Sequence, residues 1–154
     1  MNVIVSDEQD DPLGTPDLLY LAELVLEREA VPDDSEVSIV LIDADSMAEL
    51  NERHMGREGP TDVLSFPIED AAPGEPPQRT TGGPPLNLGD VFIAPTVVRR
   101  NAEERGVAPE DEMALIVVHG LLHILGWDHE DESEAERMEE REAELLAVVG
   151  RVRP

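Results

Sequence analysis

Hydrophobic and polar residues alternate weakly over Asn2–Ser6, a period of two that predicts a first strand. Pro16 and Asp17 then open an amphipathic helix to about Ala30, with Leu18, Leu21, Val25 and Leu26 at helical spacing. Glu36–Ile42 is rich in β-branched residues and reads as a second strand. Asp45 is the expected N-cap of a short helix that carries Met47 and Leu50 and runs to about His54. A third strand is expected over Thr61–Phe66, stopped by Pro67, and a fourth over Leu88–Ala94. Pro95 suits the first turn of a helix reaching about Arg105. Pro109, with Glu110, Asp111 and Glu112 near the positive helix end, starts the next. From Met113 to Leu125 that helix is apolar on nearly every side, which predicts a buried central element. A last helix, from about Ser133 to Val149, has acids that read as a solvated face.

Between the third and fourth strands, residues 69–85 are rich in Pro and Gly and poor in apolar residues, so a mobile surface loop is expected. Strands early and helices late give an α+β fold: a small mixed four-stranded sheet packed with about five helices. The pattern predicts one domain over residues 1–154, with no internal repeat and no second core.

The buried helix carries unusual polar residues. His119, His123 and His129 fall within the run His119-Gly120-Leu121-Leu122-His123-Ile124-Leu125-Gly126-Trp127-Asp128-His129. Four residues apart, His119 and His123 share one helix face. Gly126 can end the helix in a left-handed conformation, so that His129 returns toward the same point. A lone histidine on an apolar helix is usually a core residue bonded to a carbonyl. Two at this spacing and a third beyond a glycine stop favour a metal. Three imidazoles with an open fourth position make a catalytic zinc site, and no cysteine is present to close it. One Zn2+ per chain is expected.

Composition narrows the setting. Asp and Glu total 36 against 11 basic residues, all of them Arg, for a formal net charge of −25. Repulsion on that scale is relieved in molar salt, where the Debye length falls to about 3 Å. The acidity therefore reads as adaptation to a salty cytoplasm, and it supplies no net-charge argument for nucleic-acid binding. The melting temperature should be higher in molar than in millimolar salt; equal stability in both would sink the idea. The absence of cysteine, of a basic signal-peptide start and of a long apolar run leads to the expectation of a cytoplasmic protein without a membrane span.

The spacing His-x3-His-x2-Gly-x2-His matches the histidines and glycine of metzincin peptidases, which carry a Glu general base directly after the first histidine. Here that position is Gly120, which has no side chain to take a proton. A metal can still stabilise charge developing on phosphate oxygens, and RNA brings its own 2′-hydroxyl nucleophile. The missing Glu shifts the reading from peptides toward phosphodiesters.

With this the chain, apart from the 69–85 loop, resembles the YbeY family of bacterial metal-dependent endoribonucleases. The histidine run is similar to the family's HGxLHLxGYDH signature. Gly59-Pro60-Thr61-Asp62-Val63-Leu64-Ser65-Phe66-Pro67 resembles its PTDVLSFP block, and Leu88-Gly89-Asp90-Val91-Phe92-Ile93-Ala94 its LGDI strand. The resemblance implies a zincin-like fold with zinc on His119, His123 and His129. It also implies a single-strand-specific endoribonuclease of 16S rRNA 3′-end maturation and ribosome quality control, with rRNA and the ribosome or its small subunit as partners; a monomer is expected. Trp127 stands where relatives usually have Tyr, and Met55 where many have Arg, a phosphate contact that Arg57 would take over.

Other residues have two readings each. Thr61, Asp62 and Ser65 either contact substrate or close a turn and cap strand ends. Asp128 either orients a ligand histidine, the favoured role, or acts as base. Asp90 reads as a turn residue or as a support behind a ligand. Arg53, Arg57, Arg99 and Arg100 are candidates for an RNA groove. The competing functions are a metal-dependent peptidase or amidase using Asp62 or Asp128, and a non-catalytic ribosome-assembly factor with structural zinc.

Overall fold

The computed structural model describes residues 2–13 and 15–154. Among them four strands, β1 (Asn2–Asp7), β2 (Glu36–Leu41), β3 (Val63–Pro67) and β4 (Asn87–Ile93), form one sheet in the order β1-β2-β4-β3. β1, β2 and β4 run parallel and β3 is antiparallel to β4, so the sheet is mixed, as the pattern predicts. Among the described residues five helices accompany it: α1 (Thr15–Arg28), α2 (Ala44–Met55), α3 (Pro95–Arg105), α4 (Pro109–Ile124) and α5 (Glu132–Val148). Among the described residues no helix is long and apolar enough to cross a membrane.

The predicted central helix is α4. Met113–Val118, Gly120–Leu122 and Ile124 are all buried, between the sheet on one side and α1 and α5 on the other. Complete burial of a side chain such as Leu121 or Leu122 contributes about 1.5–3 kcal/mol, which explains how so short a charged chain holds its centre. α4 can approach the sheet closely because residue 120 has no side chain. A Cβ there would lie 2.8 Å from Val91 Cγ1 and 3.2 Å from Val63 Cγ2. Ser65 Oγ on β3 donates to the Gly120 carbonyl at 2.9 Å, tying sheet to helix. On the opposite face of the sheet lies a smaller cluster of Ile42, Met47, Leu64, Ala94 and Val97, to which α2 contributes Met47.

Several boundaries differ from expectation for identifiable reasons. α2 is capped by Asp43, not Asp45: Asp43 Oδ1 accepts from Ser46 N at 2.7 Å, which leaves Asp45 in the first turn. β3 begins at Val63 rather than Thr61, and Pro67 is its last residue, paired with Gly89. α1 stops at Arg28, and Ala30 takes a left-handed φ of 58°. α5 starts at Glu132, because Asp131 caps it by accepting from Glu134 N. Residues 69–85 hold no helix or strand beyond an isolated bridge between Ala72 and Glu75. Their contacts with the body include buried Pro77 and an ion pair between Arg79 and Asp34.

Candidate metal centre

α4 sets His119 and His123 one turn apart on one face. The helix then ends as Gly126 N donates to His123 O and Trp127 N to Leu122 O, with Gly126 at φ 92°. Only glycine fits this turn, since a Cβ at 126 would lie 2.2 Å from the Ala71 carbonyl oxygen. The reversal brings His129 back as expected. Ring centroids are 4.6 Å apart for His119–His123, 4.9 Å for His123–His129 and 5.5 Å for His119–His129. Their donor atoms all lie within 4.8 Å of one another. Nitrogens around a tetrahedral zinc at about 2.0–2.1 Å would be roughly 3.4 Å apart, so small side-chain adjustments suffice. The three imidazoles could hold a metal ion, and His129, the exposed member, marks the open side.

The electrostatics favour a cation. Burial, the neighbouring His119 and His129, in that order, lower the His123 pKa to about 4, against the opposing pull of Asp128. His123 is therefore a neutral donor at neutral pH and need release no proton to coordinate. His119 Nδ1 lies 2.7 Å from Glu142 Oε2, a contact that commits Nδ1 and leaves Nε2 for a ligand role. Glu142 is 1 % exposed, so one of the acids expected on a solvated face is a buried partner of a candidate ligand. A signal for it exists in the sequence: Met138, Glu142, Leu145 and Leu146 make one apolar stripe, with a carboxylate where a hydrophobe belongs.

The remaining candidates fall in different places. Asp128 Oδ1 accepts from the backbone N of His129 at 2.8 Å, so it orders the main chain of a candidate ligand rather than its ring. Ser65 directs its hydroxyl at Gly120. Asp62 stands at the head of β3, with its carbonyl accepting from Ala94 N at 2.9 Å and its carboxylate 3.5 Å from Asn101 Nδ2. Thr61 Oγ1 lies 3.4 Å from Asp62 Oδ1. Asp90 is neither in a turn nor behind a ligand. It lies within β4, opposite Phe66 and Ser38, on the face away from Val91 and α4.

Arg57 is exposed just beyond the left-handed Gly56 that ends α2, and Met55 on the same turn is 45 % exposed. Among the described residues, Arg57, Thr61 and Asp62 make no hydrogen bond or ion pair with the three histidines. Arg99 is withdrawn from the proposed groove by a bidentate pair with Asp11, at 2.8 and 2.9 Å. Arg53, Arg57 and Arg100 are exposed and, among the described residues, form no ion pair.

Known proteins share this arrangement of sequence. Residues 6–150 match the family model of endoribonuclease YbeY. The chain is 39% identical over 151 residues to "Endoribonuclease YbeY" of Salinispora tropica, covering 96% of this chain and 95% of that protein. With its namesake from Thermobifida fusca it shares 40% identity over 147 residues, 96% and 93% of the two chains. The solution structure of a Thermotoga maritima protein superposes with a TM-score of 0.60 at 26% identity, covering 96% of this chain and 91% of the other. The match spans both the strands that pack on Gly120 and the helix that bears the histidines, and the chain belongs to the endoribonuclease YbeY family.

Proposed function

We propose that this protein is a zinc-dependent, single-strand-specific endoribonuclease that acts in rRNA processing. The inferred task is maturation of the 16S rRNA 3′ end and ribosome quality control, performed by a cytoplasmic, single-domain monomer. The observation that carries the reading is the convergence of His119, His123 and His129 in a chain of this family, with glycine at the position of the peptidase base. When bound, zinc supplies a Lewis acid that stabilises charge developing on phosphate oxygens. His119, His123 and His129 would hold it, and the exposed flank at His129 is where a strand would approach.

The chain's own contributions follow from position. Glu142 fixes the ring of His119 and Asp128 the backbone of His129, so neither carboxylate is aimed at substrate. Arg57, exposed and without an ion pair among the described residues, is the candidate for a phosphate contact, with Thr61 and Asp62 as nearby polar groups on the same loop. Ser65 is read as a packing tie rather than a substrate contact. In so acidic a chain, arginines without carboxylate partners are the groups left to meet phosphates. With Glu142 committed to His119 and Asp128 to the backbone of His129, an unpaired RNA strand would supply its own nucleophile, the 2′-hydroxyl, which attacks the adjacent phosphorus as the 5′-oxygen of the next nucleotide leaves.

Cleavage assays at high salt test this. The zinc-loaded protein should cut single-stranded RNA, cut duplex RNA poorly and leave casein intact; chelation or His119→Ala should abolish RNA cleavage. Cleavage by His119→Ala at the wild-type rate would point to a contaminant. No RNA cleavage by either protein would favour an assembly factor, and casein hydrolysis would favour a peptidase.

A further inference from the structure

The carboxylate that orients His119 is itself held on its other oxygen. Glu142 Oε2 meets His119 Nδ1 at 2.7 Å, and Glu142 Oε1 accepts from Arg153 Nε at 3.1 Å. A carboxylate only 1 % exposed needs hydrogen-bond partners in place of lost water, and each oxygen here has one. Arg153 lies beyond α5, in a segment that runs back along that helix. Two further contacts fasten the segment: Arg151 Nη1 to Asp111 Oδ1 at 2.6 Å, and Arg105 Nη2 to the Pro154 carbonyl at 3.2 Å. Of these three arginine contacts, only that of Arg153 reaches a group touching a candidate metal ligand.

We infer that Arg153 is a positioning residue for the metal centre, acting through Glu142 on the ring of His119. The inference rests on the reading of the three histidines as metal ligands. Its physical basis is that a carboxylate has one plane. With Oε1 fixed by a guanidinium N–H, Oε2 stays directed at Nδ1 and the imidazole keeps Nε2 toward the other two rings. Without Arg153, His119 is the one side-chain partner left to the carboxylate among the described residues, and the group is free to turn about its Cγ–Cδ bond. Arg153 also lies 3.9 Å from the more exposed Glu139, too far for a comparable hold. The relay thus runs from a surface-accessible arginine through a buried acid to the site, joining residues 11 and 23 positions apart.

Zinc affinity, measured by competition with a chromophoric chelator and without RNA, tests the relay. Loss of a partner behind a metal ligand costs about 10–100-fold in affinity. Arg153→Ala should weaken binding by about tenfold and Glu142→Gln by at least as much. Arg153→Lys, which keeps the charge but not the planar fork, should recover part of the loss. Arg151→Ala is the control, because it loosens the same segment without touching Glu142, and its affinity should equal wild type. Nitrogen-15 spectra of the His119 ring should show a proton held at Nδ1 in wild type and a mixture of tautomers in Arg153→Ala. Equal affinity in Arg153→Ala and wild type would overturn the relay. So would an equal loss in Arg151→Ala, since fastening the segment would then explain the effect. A wild-type protein that takes up no zinc would overturn the metal reading beneath it, a result distinct from either.

Discussion

Replacing His123 by Ala should abolish zinc-dependent RNA cleavage and reduce zinc affinity by more than the about 10–100-fold expected for a partner behind a ligand. His123 is the middle donor of the three, with ring centroids 4.6 and 4.9 Å from its two neighbours. Without it, His119 and His129 remain stacked 5.5 Å apart and offer two donors from a helix and a loop. The same variant has a pH signature. In the chelated wild type, His123 accepts a proton only near pH 4, whereas the unfolded chain takes one up near 6.5. Between those values the unfolded state binds more protons, so stability present above about pH 6.5 is lost as pH falls toward 4. The histidines are partly open to solvent, and screening reduces this loss to about 1–2 kcal/mol. Chelated His123→Ala should lack that component, so its melting temperature should fall less steeply from pH 6.5 to 4. Parallel melting curves for the two proteins would contradict the burial argument. Undiminished zinc binding would remove His123 from the ligand set.

The histidine site was legible in sequence because its members are local. Spacing on a helix, a glycine stop and a return are properties of eleven consecutive residues. The strands were legible too, since β1 alternates weakly, β2 is rich in β-branched residues and β4 sets Leu88, Val91 and Ile93 in the core. What the pattern could not contain is pairing across the fold. Glu142 meets His119 over 23 positions, Ser65 meets Gly120 over 55, and Arg99 meets Asp11 over 88. Arg99 was a reasonable groove candidate until the fold placed a carboxylate beside it. Asp43 and Asp45 compete for one cap, and local backbone geometry decides between them. Glu142 stands apart from these, because its place on an apolar stripe is visible once α5 is aligned on Met138, Leu145 and Leu146.

Gly120 acquires a second meaning from the structure. At first it is the residue missing a peptidase base; in the fold it is the point where helix and sheet meet. Gly120→Glu should therefore fail as a route to peptidase activity and should unfold the protein instead. The new Cβ would come to 2.8 Å from Val91 Cγ1, 3.2 Å from Val63 Cγ2 and 3.5 Å from Ser65 Oγ. Overpacking of that kind costs about 1–3 kcal/mol before the rest of the side chain is placed. A carboxylate forced between α4 and the sheet adds the desolvation of an unpaired charge, several kcal/mol more. The sum approaches or exceeds the about 5–15 kcal/mol that holds a typical domain together. Gly120→Ala separates the two contributions: it carries the contact without the charge, and it gains up to about 1 kcal/mol of helix propensity. Its denaturation midpoint should therefore fall only modestly, while Gly120→Glu should be insoluble or lack a cooperative transition. A soluble Gly120→Glu protein with a wild-type midpoint that hydrolyses casein would show that residue 120 faces the metal. On the packing observed, it faces β3 and β4, so the lack of a base at this position is built into the contact that seats the ligand helix on the sheet.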